Sequence, residues 1–232
     1  MIFRLLIEQR GFRIVAMDLS PIWISLKTAQ AASLLAMLLG IHAAWWRNGK
    51  DRPSLYWLDA FLMLPVAMPP TVIGLILLFV FGHQSPIGQG LHQLGISIIF
   101  TWPAAVIAAA VISFPLAYMT LRAAFKQVDP DMLDSARLDG VSESGLLWRV
   151  LIPLARPGVA ASLLLCFIRS LGEFGATLMI AGNIPGRTQT IPLAVYFNVE
   201  AGNLTAAWIF AGVSFSVSLA VIFFVTRMET NH

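Results

Sequence analysis

The chain has 232 residues, 58% hydrophobic and only 12% charged, with a net charge of +3 and a mean hydropathy of +0.78. Soluble domains carry about 25% charged residues, so a water-soluble enzyme domain of this size is excluded. A surplus of three cations is no nucleic-acid footprint either.

A membrane-crossing helix needs about 20 mainly apolar residues. The first segment, Met1 to Ala16, carries Arg4, Glu8, Arg10 and Arg13, and is too short and too charged to cross. It lacks the apolar stretch of a cleavable signal peptide. It is either an amphipathic surface extension or the product of an upstream start codon, with Met17 the natural beginning; residues 17–232 then form one transmembrane domain. Five spans follow: Thr28 to Trp46, Ala60 to Gly82, Ile98 to Leu121, Pro157 to Gly186, and Leu204 to Thr226. The fourth is interrupted only by Arg169 and Glu173. Cys166 lies in it among Leu163, Leu164, Leu165 and Phe167, and is expected to be a small apolar packer. Arg227 to His232 follow the last predicted span, so a C-terminal regulatory domain is not expected.

Cations in the loops set the orientation. Arg47, Lys50 and Arg52, then Arg122, Lys126, Arg137, Arg149 and Arg156, then Arg227 make nine on one side; the opposite loops hold Arg187 alone. The basic side is therefore expected to face the cytoplasm, with span one beginning outside. Trp45, Trp46, Trp57 and Trp208 fall near span ends as interfacial anchors.

Residues 122–156 form the one long polar loop. Asp129 and Pro130 can open a helix. Met132, Leu133, Ala136 and Val141 give it an apolar stripe, and Gly140 ends it in a left-handed conformation. Ser142 can cap a second helix through Leu146, Leu147, Trp148, Val150 and Leu151, which Pro153 interrupts. The result is two short helices meeting at a glycine elbow, which either pack on their own bundle or dock a soluble partner.

Inside the spans, Pro65, Pro69 and Pro70 should kink span two, and Pro103 and Pro115 should act near the ends of span three. The kink is either a static fit to packing or, around Met68, Pro69, Pro70 and Thr71, part of a gate. Arg169 and Glu173 are four apart and can pair on one helix face. Either the pair neutralises itself and locks span four, or its face lines an oxyanion path with the hydroxyls of Ser170 and Thr177. Gly172 and Gly175 would allow close helix approach. His83 and His92 share a loop but have no third ligand for a metal. No phosphate-cradling glycine loop precedes a Lys-Ser or Lys-Thr pair, so ATP is expected to be used by another subunit and no cofactor by this chain.

Asp134-Ser135-Ala136-Arg137-Leu138-Asp139-Gly140, followed by Ile152-Pro153-Leu154, resembles the EAA loop of ABC importer permeases. Asp134 stands for its Glu, Ser135 for its first Ala, and Ile152 directly precedes Pro153. Leu64-Pro65 with Pro69-Pro70, Arg169-Ser170-Leu171-Gly172-Glu173-Phe174-Gly175, and Asn183-Ile184-Pro185-Gly186-Arg187-Thr188 resemble the molybdate/sulfate branch, and the last stretch favours molybdate permeases. The resemblance implies an all-helical membrane bundle of the type I importer kind in the cytoplasmic membrane of a prokaryote. It implies a homodimer, two ATP-binding subunits and an extracytoplasmic molybdate-binding protein as partners. Asp134, Ser135, Ala136, Gly140 and Ser142 would couple to the ATPase; Arg169, Ser170, Glu173, Thr177, Pro69, Pro70 and Thr71 would line the pathway; Asn183, Arg187 and Thr188 would dock the receptor. Alternatives are a sulfate or thiosulfate permease and, in another class, an ATP-independent anion channel.

Overall fold

The computed structural model describes residues 18–50 and 52–230, with side chains as far as Arg227; the extension 1–16 lies outside them. The described residues are helical, without strands. Helix α1 (Ser20–Arg47) opens on Pro21 and runs for 28 residues, about 42 Å at 1.5 Å per residue. A single 3₁₀ turn, Pro53–Leu55, leads into α2 (Tyr56–Ala67), α3 (Pro70–Phe81) and α4 (Pro86–Gln93). Helix α5 (Trp102–Lys126) is the second long span, and α6 (Pro130–Leu138) and α7 (Glu143–Leu154) form the polar loop. Helices α8 (Arg156–Leu171), α9 (Gly175–Ala181), α10 (Ile191–Glu200) and α11 (Leu204–Thr230) complete the order.

Helices α1, α5 and α8 pack on one another as the centre of the bundle. Apolar burial drives little association between helices already in lipid, so close van der Waals contact between small residues must do it. The sequence supplies them: Ala29, Ala32, Ala36 and Ala44 of α1 and Ala104, Ala105, Ala108, Ala109 and Ala117 of α5 are fully buried. A Cβ on Gly40 would stand 2.9 Å from that of Ala117, and Gly158 of α8 leaves no room for one against Ala124. Toward the basic end the core is filled by Ile41, Tyr118, Leu121, Phe125, Leu147 and Leu151, and toward the opposite end by Ile73, Leu77, Ala108, Ile112, Ala176 and Ile180. Among the described residues, helix α11 packs closely on α8 and α10 and leaves Trp208, Phe215, Leu219 and Phe223 exposed, as a lipid-facing helix would.

Five spans are reached only when two bent pairs are counted with three continuous helices. The span Ala60 to Gly82, expected to be kinked by its prolines, is α2 and α3, bent by 108°. Met68 and Pro69 at the joint are extended, with ψ of 145° and 134°, because Pro69 and Pro70 in succession forbid helical backbone before them. Span three begins at Trp102 rather than Ile98, because Pro103 opens α5 in its first turn instead of kinking it. The expected span Pro157 to Gly186 is α8, a break at Gly172, Glu173 and Phe174, then the seven-residue α9. Helix α8 also meets α7 at an 85° bend. Pro153, expected to end the second loop helix, is accommodated by a π turn at Leu146–Leu151 and the helix runs on to Leu154.

Candidate functional site

The two breaks inside the membrane face each other. A Cβ on Gly175, the first residue of α9, would lie 3.1 Å from Thr71 Cγ2 and 3.3 Å from Pro70 Cβ. One turn along α3, a Cβ on Gly74 would lie 2.8 Å from Ala176 Cα. The helices that follow the two breaks thus lie closely against each other through glycine. Gly172 makes no such approach: its Cβ would meet nothing closer than 3.8 Å.

Glu173 sits in the second break, with its side chain 2% exposed. Oε2 accepts from Arg169 Nη1 at 3.1 Å, and Oε1 accepts from the Ala176 backbone N–H at 2.9 Å. The expected pair therefore exists, but it spans the end of α8 rather than lying within one helix, and Glu173 also satisfies an orphan donor at the start of α9. Arg169 keeps 38% of its side chain exposed. Of the other pathway candidates, Pro69 and Thr71 are exposed and Pro70 is half-buried, whereas Ser170 and Thr177 are buried. The Ser170 hydroxyl is 2.7 Å from that of Ser113 on α5, so it ties two helices together instead of facing a path. Cys166 is buried beside them as the expected packer, its thiol donating to Ser113 O at 3.7 Å.

The loop elbow forms at the basic end. The Asp129 carboxylate accepts from the Asp131 N–H at 3.0 Å, Gly140 has φ +81°, and the Ser142 hydroxyl accepts from the Gly145 N–H at 3.3 Å. Arg137 bridges the turn, donating to Asp134 at 2.7 Å and to Glu143 at 3.0 Å. Glu143, then Asp134, hold its guanidinium above the ordinary arginine pKa. These ion pairs are exposed and worth about 0–1 kcal/mol each; they orient the elbow more than they stabilise it. Of the predicted apolar stripe only Leu133 is buried in the bundle, with Leu146, Leu147 and Leu151 from α7. Met132 and Trp148 stay half exposed, and Leu138, beside the elbow, is 90% exposed. Asp134, Ser135, Gly140 and Ser142 share that open surface, with Ala136 partly covered. A cleft of about 710 Å³ lined by Trp45, Trp46, Lys50, Lys126, Asp134 and Arg137 runs between the elbow and the end of α1.

Gly140→Val puts a β-branched residue where only glycine is relaxed, at a cost of about 1–2 kcal/mol, although nothing lies within 4 Å of its Cβ. Chemical denaturation should show that small loss.

At the opposite end, Arg187 is exposed and Asn183 half-buried, its Oδ1 without a hydrogen-bond partner among the described residues. Thr188 is fully buried: it accepts from the Ile184 N–H at 3.0 Å and donates to the Gly182 carbonyl at 3.3 Å, holding the loop from within.

The sequence reading missed one constellation. Asp59 of α2 accepts from Arg47 Nε at 3.0 Å and Nη2 at 2.9 Å, from the Tyr118 hydroxyl at 2.6 Å and from Arg122 Nη1 at 2.9 Å. Its signal was a lone carboxylate opening an apolar segment, one residue before the predicted span. It also missed the link at the other end, where Trp102 Nε1 donates to Thr28 Oγ1 at 2.9 Å and Lys27 lies 4.9 Å over the indole.

Residues 36–230 match the family described as binding-protein-dependent transport system inner membrane component. The chain belongs to this family. It is a multi-pass inner-membrane permease, the spanning component of an ABC importer and not its ATPase. The permease is 39% identical over 213 residues to YvgM of Bacillus subtilis, assigned to molybdenum transport, covering 91% of this chain and 94% of that one. To the molybdenum transport system permease protein ModB of Escherichia coli K12 it is 40% identical over 178 residues, 76% of this chain and 78% of the relative. Its fold matches the MetNI methionine ABC transporter in inward-facing form with a TM-score of 0.69 at 15% identity, over 94% of this chain and 97% of that one. A bacterial alginate ABC transporter matches with a TM-score of 0.71 at 14% identity, over 98% and 81%.

Proposed function

We propose that this permease imports molybdate, and tungstate of nearly the same size and charge, by alternating access driven by ATP. The observation that carries the substrate is the 34–40% identity to permeases named for molybdenum transport across most of the chain. Two copies enclose the pathway, two ATP-binding subunits hydrolyse Mg-ATP, and an extracytoplasmic molybdate-binding protein delivers the anion. The basic end faces the cytoplasm, where the elbow with the exposed Leu138 and Asp134 seats on the ATPase. ATP-driven closure moves the elbow, the motion passes through α7 and α8 to the break at Glu173, and Gly175 displaces Pro70 and Thr71 to open the outer half. Arg169, partly exposed at that break, is the cation placed to meet the passing oxyanion. Exposed Arg187, with Asn183 beside it, belongs to the receptor-docking surface, and Thr188 shapes that loop from inside.

Proteoliposomes holding the permease and its ATPase, with the binding protein outside and ATP inside, test this. Molybdate should accumulate only with ATP, competed by tungstate and not by sulfate. Competition by sulfate alone overturns the substrate; ATP-independent flux overturns the importer.

A further inference from the structure

Helix α2 is held to the bundle in an unusual way. None of its residues is fully buried, and Tyr56, Trp57, Phe61 and Val66 expose most of their apolar surface. Among the described helices it packs closely on α5. Arg47 of α1, its side chain 1% exposed, and Tyr118 and Arg122 of α5 all converge on Asp59, whose side chain is 16% exposed. Such a charge-assisted node at low dielectric fixes geometry more stringently than the sparse apolar contact around it. Nine residues after Asp59 the chain enters the break at Met68 and Pro69, and the next two residues touch Gly175.

We propose that Asp59 is a positioning residue for transport: it fastens the basic end of α2 to α1 and α5, and so sets where the Pro69–Pro70 break meets the Glu173–Gly175 break. This rests on the importer reading above. Asp59 touches no substrate; it acts through the orientation of α2. Weakening the node frees α2 to swing, and the pathway loses its dependence on the loaded receptor. Receptor-independent ATP hydrolysis then rises while the receptor-stimulated rate changes little.

Cys166 is the single cysteine and is buried, so spin labels can be placed on cysteines introduced at exposed Phe61 of α2 and exposed Met119 of α5. The experiment uses the assembled permease–ATPase complex in nanodiscs. In the native background the label-to-label distance should be narrow. In Asp59→Asn, which keeps shape but loses the charge, it should broaden or shift, and the receptor-independent ATPase should rise about tenfold, within the usual range of coupling factors. Because Asp59→Asn removes the carboxylate charge that Arg47 and Arg122 share, Arg47→Met with Asp59→Leu provides a second test. That apolar pair can restore folding but not the directional node, so the same broadening and loss of receptor dependence are expected. An unchanged distance together with unchanged receptor dependence in whichever variant assembles overturns the proposal. Failure of the importer reading is distinct: the native complex would then show no receptor stimulation at all, while the distance comparison would still report on α2.

Discussion

Gly74→Leu should abolish transport and destabilise the permease, because the new side chain has no direction in which to go. Its Cβ would meet Met179 Cβ at 2.7 Å, Ala176 Cα at 2.8 Å and Ala176 O at 2.9 Å. Two of these three are backbone atoms, so no rotamer change relieves the clash, and α3 must part from α9. Overpacking of this kind costs roughly 1–3 kcal/mol. The functional loss should exceed what that figure suggests, since the displaced surface is the one through which the two breaks touch. Thermal unfolding of the detergent-solubilised complex measures the first effect, and molybdate uptake the second. Gly90→Ala in α4 is the matched control: nothing lies within 4 Å of its Cβ, and stability and uptake should stay at native levels.

Asp59→Ala should be the most destabilising single change at the basic end. Arg47 would keep its charge in a site where its side chain is 1% exposed, and would lose its two bonds to Asp59. Breaking one partner out of a buried ion pair costs roughly 3–5 kcal/mol. Tyr118→Phe removes one donor and leaves both guanidiniums paired with the carboxylate, so its cost should be about 1.5–3 kcal/mol, that of a hydrogen bond to a charged group. Denaturant midpoints of the two variants should rank in that order. Equal midpoints would mean that the node is solvated and carries little energy.

Local chemistry was legible wherever neighbours in sequence are neighbours in space. The Asp129 and Ser142 caps, the left-handed Gly140 and the Arg169–Glu173 pair all lie within one turn, and each formed. The proline pair announced a disruption, but not its 108° size, which depends on how α3 lies against α9. Burial was not legible. Ser170 was expected to line a pathway and Thr188 to dock a receptor, yet one spends its hydroxyl on Ser113, 57 residues away, and the other on its own loop. The Asp59 node was invisible for the same reason. Its donors lie 12, 59 and 63 residues away, and Arg47 and Arg122 already had an explanation as cytoplasmic-side cations. A loop cation count weighs each arginine by its place in the chain and carries no information on what it touches.

In the proposed mechanism the Gly140 elbow couples an ATPase to a gate that a loaded receptor opens. The direct measurement is ATP hydrolysis by the reconstituted permease–ATPase complex, with its binding protein titrated by molybdate, tungstate or sulfate, in native and Gly140→Val forms. Stimulation is expected with molybdate and tungstate but not with sulfate, and should be lost in Gly140→Val while the membrane bundle stays folded. Full stimulation in Gly140→Val, or hydrolysis indifferent to the loaded receptor, would contradict that mechanism.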